Sequence, residues 1–206
     1  MPKRIFITGI DTDVGKTVVS AIVCQSLEAD YWKPVQAGDI EKGDKYTVQS
    51  LLSNANTKIH ENTYALTSPM SPHAAAKIDG ININLDNFKE PETNNALVIE
   101  GAGGLLVPLN DQMTIIDLIK PKYHVIVVSK HYLGSINHSL MTLKLLHSRG
   151  FKVSVVFNGG ENKQSESIIQ GMTNVNVIGR INQEEKINKD MINRYAQQFK
   201  QELSLL

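Results

Sequence analysis

Between residues 4 and 27 a short apolar run, a loop holding two glycines and a second apolar pattern follow one another, and their order restricts this chain more than any other feature. Ile5, Phe6 and Ile7 form the β-branched and aromatic run of a buried strand. Val18, Ile22, Val23 and Leu27 recur at near-helical spacing. Between them stands Gly9-Ile10-Asp11-Thr12-Asp13-Val14-Gly15-Lys16-Thr17, so a strand feeds a glycine-containing loop and then a helix, the setting of a phosphate-binding loop. Backbone N–H groups that open a helix lack intrahelical partners and carry the positive end of its dipole, so they can hold a phosphate oxygen. Gly15 lets the backbone come close, Lys16 brings a cation within reach of the outer phosphates, and Thr17 offers a hydroxyl to a magnesium ion. Ile10 to Val14 separate the two glycines, one residue more than the usual motif has, while the Gly-Lys-Thr end is intact.

Four further apolar runs read as strands: Tyr31 to Trp32 leading into Lys33-Pro34-Val35, Ala96 to Ile99, Val125 to Val128, and Val153 to Phe157, with Asn176 to Ile178 a weaker sixth. They are continuous rather than alternating, as in strands covered on both faces by helices. Between them lie helical patterns, the clearest at Ser135 to Ser148, where Ile136, Leu140, Leu143 and Leu146 share one face and Gly150 supplies the stop. The expected fold is α/β, a parallel sheet flanked by helices on both faces, with ligands outside the C-terminal ends of the strands. No internal repeat is visible, and residues 1–206 fit one domain. The stretch from Asn54 to Asn95 shows no readable element boundaries.

Residues at strand ends carry the next information. Glu100 ends the Ala96 to Ile99 strand, and a carboxylate there is costly unless something positive meets it. A magnesium ion beside the loop would do so, as would a lysine; a capping role in the following turn is the plainer alternative. Lys33 also ends a strand, where a cation could stabilise phosphate or substrate charge or simply lie in solvent. Asp44, in "GDKYTVQSLL", fits a helix N-cap and a metal contact equally. Asn158 could read a nucleobase edge or build an Asn-Gly-Gly turn.

Composition excludes other classes. Lysine plus arginine and aspartate plus glutamate each number 21, so no net field favours nucleic acid. The single cysteine, Cys24, rules out an intrachain disulfide, and the six histidines show no zinc-site spacing. The first apolar run is too short for a signal-peptide core, and none approaches the roughly 20 residues of a membrane span. A cytoplasmic setting without membrane association is expected.

Taken in order, "TGIDTDVGKT", "WKPVQAG", "SPHAAA", "VIEGAGGLLVPL", "LGSINHSLMT" and "VVFNGG" resemble the dethiobiotin synthase family of P-loop enzymes, from Lys3 to about Gly160. The five-residue loop spacing is that family's habit. The resemblance implies closure of a cyclic urea on 7,8-diaminononanoate with carbon dioxide and ATP, through a carbamate and its mixed anhydride with phosphate, with magnesium as cofactor. It further implies that Asp13, Val14, Gly15, Lys16, Thr17 and Val18 hold the triphosphate and that Thr17, Asp44 and Glu100 attend to the metal. Gly101, Ala102 and Gly103 join the nucleotide site. Lys16 and Lys33 would be the catalytic cations, and Thr12 and Ala37 would face the substrate. Asn158 and Gly159, with Asn182 to Glu184, would border adenine. Gly134, Ser135 and Asn137 would receive the substrate carboxylate from a second subunit, making the enzyme a homodimer with sites at its interface.

Two positions depart from the family pattern: Ala37 where a hydroxyl residue is usual, and Asn182 where proline is common. Partitioning-type ATPases carry an extra lysine early in the loop, where this chain has Ile10, Asp11 and Thr12. A GTPase would need an aspartate after a strand, and "SKHY" at Ser129 to Tyr132 lacks it. A non-catalytic nucleotide-binding module is the rival of another class, distinguished by whether phosphate release depends on the diamine and bicarbonate.

Overall fold

The β-branched runs lie side by side in a computed structural model that describes residues 2–206. β1 (Arg4–Gly9), β2 (Asp30–Trp32), β5 (Leu97–Gly104), β6 (His124–Lys130), β7 (Lys152–Asn158) and β8 (Asn176–Ile181) form one sheet in the order β2-β5-β1-β6-β7-β8. Every pairing in it is parallel. Two short strands, β3 (Val35–Ala37) and β4 (Tyr64–Leu66), pair separately. The helices are α1 (Lys16–Leu27), α2 (Asp44–Leu51), α3 (Pro72–Asp79), α4 (Ser135–Ser148), α5 (Lys163–Thr173) and α6 (Lys189–Leu205). α1, α2 and α6 pack together as one layer and α4 packs with α5 as the other, so Ile5, Ile7, Val98, Ile126 and Val155 between them are wholly buried. That is the α/β arrangement expected from unalternating strands. The chain moves to one side of β1 for β2, returns to β5, then crosses to β6, which places the end of β1 at the reversal point where such sheets bind ligands.

Three local expectations are corrected. The run from Tyr31 to Val35 is two strands, because Pro34 has no N–H to continue the ladder; its carbonyl instead accepts from Thr63 and Tyr64. Glu100 lies inside β5 rather than at its end, since the small residues after it stay extended and pair Gly104 with Gly9. A Cβ on Gly101 would stand 3.1 Å from the Phe6 ring and 3.2 Å from Ile115, so close packing requires the glycine. The bounds of α4 match those expected, but its buried face carries Ser135, Ser139, Leu143 and Leu146, with Ile136 exposed. Ser139 Oγ shares a 2.8 Å hydrogen bond with Ser129 Oγ of β6, and the small pair lets the helix sit close to the sheet.

Candidate active site

The loop between β1 and α1 is shaped by backbone that only certain residues tolerate. Gly15, the N-cap of α1, has φ 97°, and a Cβ there would collide with the amide of Asn158. Asn158 Nδ2 donates to the Val14 carbonyl at 2.7 Å, Lys16 Nζ to the Asp11 carbonyl at 3.0 Å, and Lys130 Nζ to the Asp13 carbonyl at 3.2 Å. Three side chains from β7, α1 and β6 therefore hold the loop's carbonyls. Its N–H groups open α1, which has no side-chain cap.

Strand register assembles the charged centre behind the loop. Trp32 pairs with Ile99, so the next residues, Lys33 and Glu100, arrive side by side. Lys33 is 5% exposed and Glu100 1%. Lys33 Nζ contacts Glu100 Oε1 at 3.2 Å and also bonds Asp44 Oδ2. One turn of α1 supplies two hydroxyls: Thr17 Oγ1 reaches Glu100 Oε1 at 3.0 Å and Asp44 Oδ1 at 2.9 Å, and Ser20 Oγ donates to Glu100 Oε2 at 2.7 Å. Tyr31 adds its hydroxyl to the same Oε2 at 2.9 Å.

Burial alone would make Lys33 easier to deprotonate, but the carboxylates of Glu100 and Asp44 overcome it and raise its pKa. Burial works against ionised Asp44 too, and Lys33 prevails in holding its pKa below the usual range. Lys16 goes the other way: burial lowers its pKa, despite Glu100. Burial, then Glu100, pushes the Tyr31 phenol far up, so it remains a donor.

A cavity of about 630 Å³ opens over this centre. From the loop and α1 it is lined by Thr12, Asp13, Gly15, Lys16, Thr17 and Val18; from the β2 to α2 region by Lys33, Gln36, Ala37 and Asp44; and from β5 by Glu100, Ala102 and Gly103. Val14 and Gly101 are buried beside it without lining it. The Asp44 side chain turns to Thr17 and Lys33 and does not cap α2, whose N-cap is Gly43. Gly159 N–H donates to the Ile181 carbonyl at 2.8 Å, so the two segments expected at the base are neighbours. Gly134, Ser135 and Asn137 line a different cavity of about 790 Å³, where Leu133 is fully exposed.

Sequence reasoning missed Tyr31 and Ser20, which read as core and helix filler. It also missed Gln36, whose amide accepts from Asp44 N at 3.3 Å, and Pro69 and Met70, which close one cavity wall together with Ser71 and Pro72 of the SPHAAA stretch. The signal for Gln36 is an amide between Val35 and Ala37 in a short apolar strand.

Comparison with known proteins places the chain. A family model described as AAA domain matches residues 3–190. The ATP-dependent dethiobiotin synthetase BioD of Christiangramia forsetii is 52% identical over 98% of this chain and 99% of its own length. That of Cytophaga hutchinsonii is 50% identical over 94% and 95%, and that of Rhodopseudomonas palustris 43% over 88% and 86%. The likeness thus continues well past Gly160. Among solved structures, a plasmid partition protein from Borrelia burgdorferi superposes with TM-score 0.59 at 15% identity, covering 100% of this chain and 99% of that one. The cell division ATPase MinD of Pyrococcus furiosus gives 0.59 at 10%, covering 98% and 99%. At such identities these two show the fold alone. The chain belongs to the family of ATP-dependent dethiobiotin synthetases, built on the P-loop fold.

Proposed function

We propose that this single domain closes a cyclic urea on 7,8-diaminononanoate, using carbon dioxide and ATP and yielding dethiobiotin, ADP and phosphate. One observation carries the reading: a phosphate-binding loop and two buried lysines, Lys16 and Lys33, face one cavity with no activated nucleophile in it. That suits a reaction driven by positioning and charge, in which a substrate amine rather than a side chain attacks. One amine adds to carbon dioxide and loses a proton to give a carbamate. A carbamate oxygen then attacks the γ-phosphorus and ADP departs. The second amine attacks the carbonyl carbon, phosphate leaves, and the ring closes.

The N–H groups of Asp13 to Val18 hold the triphosphate, and Lys16 exchanges the Asp11 carbonyl for a phosphate oxygen. Lys33, fixed by Glu100 and Asp44, offers a preorganised ammonium to the carbamate and the phosphoryl group in flight. Thr12 and Ala37 border the diamine, and Ala102 and Gly103 border the nucleotide. Asn158, Gly159 and the segment from Asn182 border the base.

A magnesium ion fits the donors present. Thr17, Asp44 and Glu100 offer hard oxygen atoms at one place, where the Lys33 ammonium bridges the two carboxylates at rest. Lys16 and Lys33 are balanced by Asp44 and Glu100, leaving no surplus positive side-chain charge among these four for a triphosphate. When bound, the ion would neutralise charge on the phosphate oxygens.

A homodimer is supported by the opening of α4. Gly134 caps it without a side chain, leaving N–H groups suited to a carboxylate. Exposed Leu133 and Ile136 beside it make a surface suited to a second copy. Among the described residues no helix is long and apolar enough to cross a membrane, which accords with a cytoplasmic enzyme. Incubation with diamine, labelled bicarbonate and ATP tests the reading: a product carrying the label, and phosphate release that needs both diamine and bicarbonate, are expected. Phosphate release indifferent to the diamine would refute it.

A further inference from the structure

Glu100 is held by more hydroxyl groups than its pairing with Lys33 requires. Each carboxylate oxygen has about two lone-pair directions. Those of Oε2 are taken by Ser20 Oγ at 2.7 Å and Tyr31 OH at 2.9 Å, from residues with 0% exposure. Oε1 also has two resting partners, Thr17 and Lys33, but both line the cavity and both are shared with Asp44, so a bound cation can draw them away. The two oxygens are therefore unequal: one is enclosed by donors that packing holds in place, and one is turned toward the ligand side.

The placement of Tyr31 follows from strand periodicity. Tyr31 pairs with Val98 in the β2 to β5 register, and Glu100 lies two residues beyond Val98 on the same face. A phenol can span that offset, whereas phenylalanine would fill the same volume without burying a hydroxyl. A buried hydroxyl is costly without a partner, and Glu100 is the one hydrogen-bond partner of Tyr31 OH among the described residues.

We propose that Tyr31, with Ser20, is a positioning residue that restricts Glu100 to one-oxygen use and so sets the site's preference for a small octahedral cation, magnesium over calcium. The inference rests on the reading of Glu100 as a metal contact. Calcium takes six to eight oxygens and accepts both oxygens of one carboxylate, whereas magnesium demands about six in octahedral array and seldom takes both. With Oε2 closed by two hydroxyls, the two-oxygen mode is blocked. Removing either hydroxyl frees a lone pair on Oε2 and lets the carboxylate turn.

The test is calorimetric binding of a β,γ-imido ATP analogue to the full chain, in magnesium and in calcium. The parent is compared with Tyr31→Phe, Ser20→Ala and Glu100→Gln, each with its thermal midpoint measured. The ratio of analogue affinity in magnesium to that in calcium should fall about tenfold or more in Tyr31→Phe, as loss of a hydrogen bond to a ligating group typically does. Ser20→Ala should move it the same way, and it decides the matter alone should Tyr31→Phe not fold. Glu100→Gln should lose most of the dependence on cation. Parent-like ratios in both hydroxyl variants, with that dependence lost in Glu100→Gln, would overturn the positioning role and leave the reading of Glu100 intact. Parent-like cation dependence in Glu100→Gln would overturn that reading and the inference together.

Discussion

Lys33 sits where the strongest opposing forces meet, an ammonium enclosed by protein with a carboxylate on either side. Removing one member of such a group leaves uncompensated buried charge, which costs about 3–5 kcal/mol. Lys16 differs, because its resting partner is a single loop carbonyl. Each of Lys16→Ala and Lys33→Ala should slow ring formation about a hundredfold or more, the usual cost of one lost electrostatic donor. Thermal unfolding separates the two: Lys33→Ala should also lower the melting midpoint by several degrees, and Lys16→Ala should barely move it. Single-turnover rates equal to the parent's would remove both from catalysis. Lys33 and Glu100 were legible in the sequence because charged residues next to buried apolar runs demand an explanation. Tyr31 was not, since a tyrosine in an apolar run looks the same whether it packs or donates.

At the scale of elements, the sequence shows best where one physical requirement dominates. The loop of residues 9–17 announces itself because glycine, lysine and threonine are each needed for a separate reason. β5 does not, because the glycines that suggest a turn are there for close packing against Phe6 and Ile115. The inward face of α4 was misread because two serines, rather than its isoleucine, meet the sheet. Gly15→Ala should cost about 1–2 kcal/mol from left-handed backbone alone, before the Asn158 amide is displaced. Analogue affinity should fall about tenfold or more, and an unchanged dissociation constant would contradict the loop geometry. At the head of β6, His124 is held down to about 4 from its ordinary 6.5 by burial first, then by Lys152 and Lys3. The unfolded chain therefore binds this proton more readily, and His124 makes stability decline as pH falls from about 6.5 to about 4. His124→Gln should flatten that part of a plot of urea midpoint against pH. A variant as steep as the parent there would show the proton is taken up elsewhere.

For the whole molecule, the sheet order places Lys33, Glu100 and the loop at one edge of a single cavity, while Gly134, Ser135 and Asn137 line another. In the proposed arrangement a second copy brings the latter set to the diamine. Leu133→Glu should therefore turn a dimer into a monomer in sedimentation and lower activity with it; a fully active monomer would show each chain complete alone. The separation of the two cavities was invisible in the sequence, since motif order says nothing of distance between strand ends. The central claim is that the amides opening α1, with Lys16, grip the polyphosphate beside the diamine. A crystal structure with the imido analogue, magnesium and diamine tests it most directly. The β- and γ-phosphates should lie against the N–H groups of residues 13–18, with the diamine between Thr12 and Lys33; a tail bound away from that loop would contradict the account.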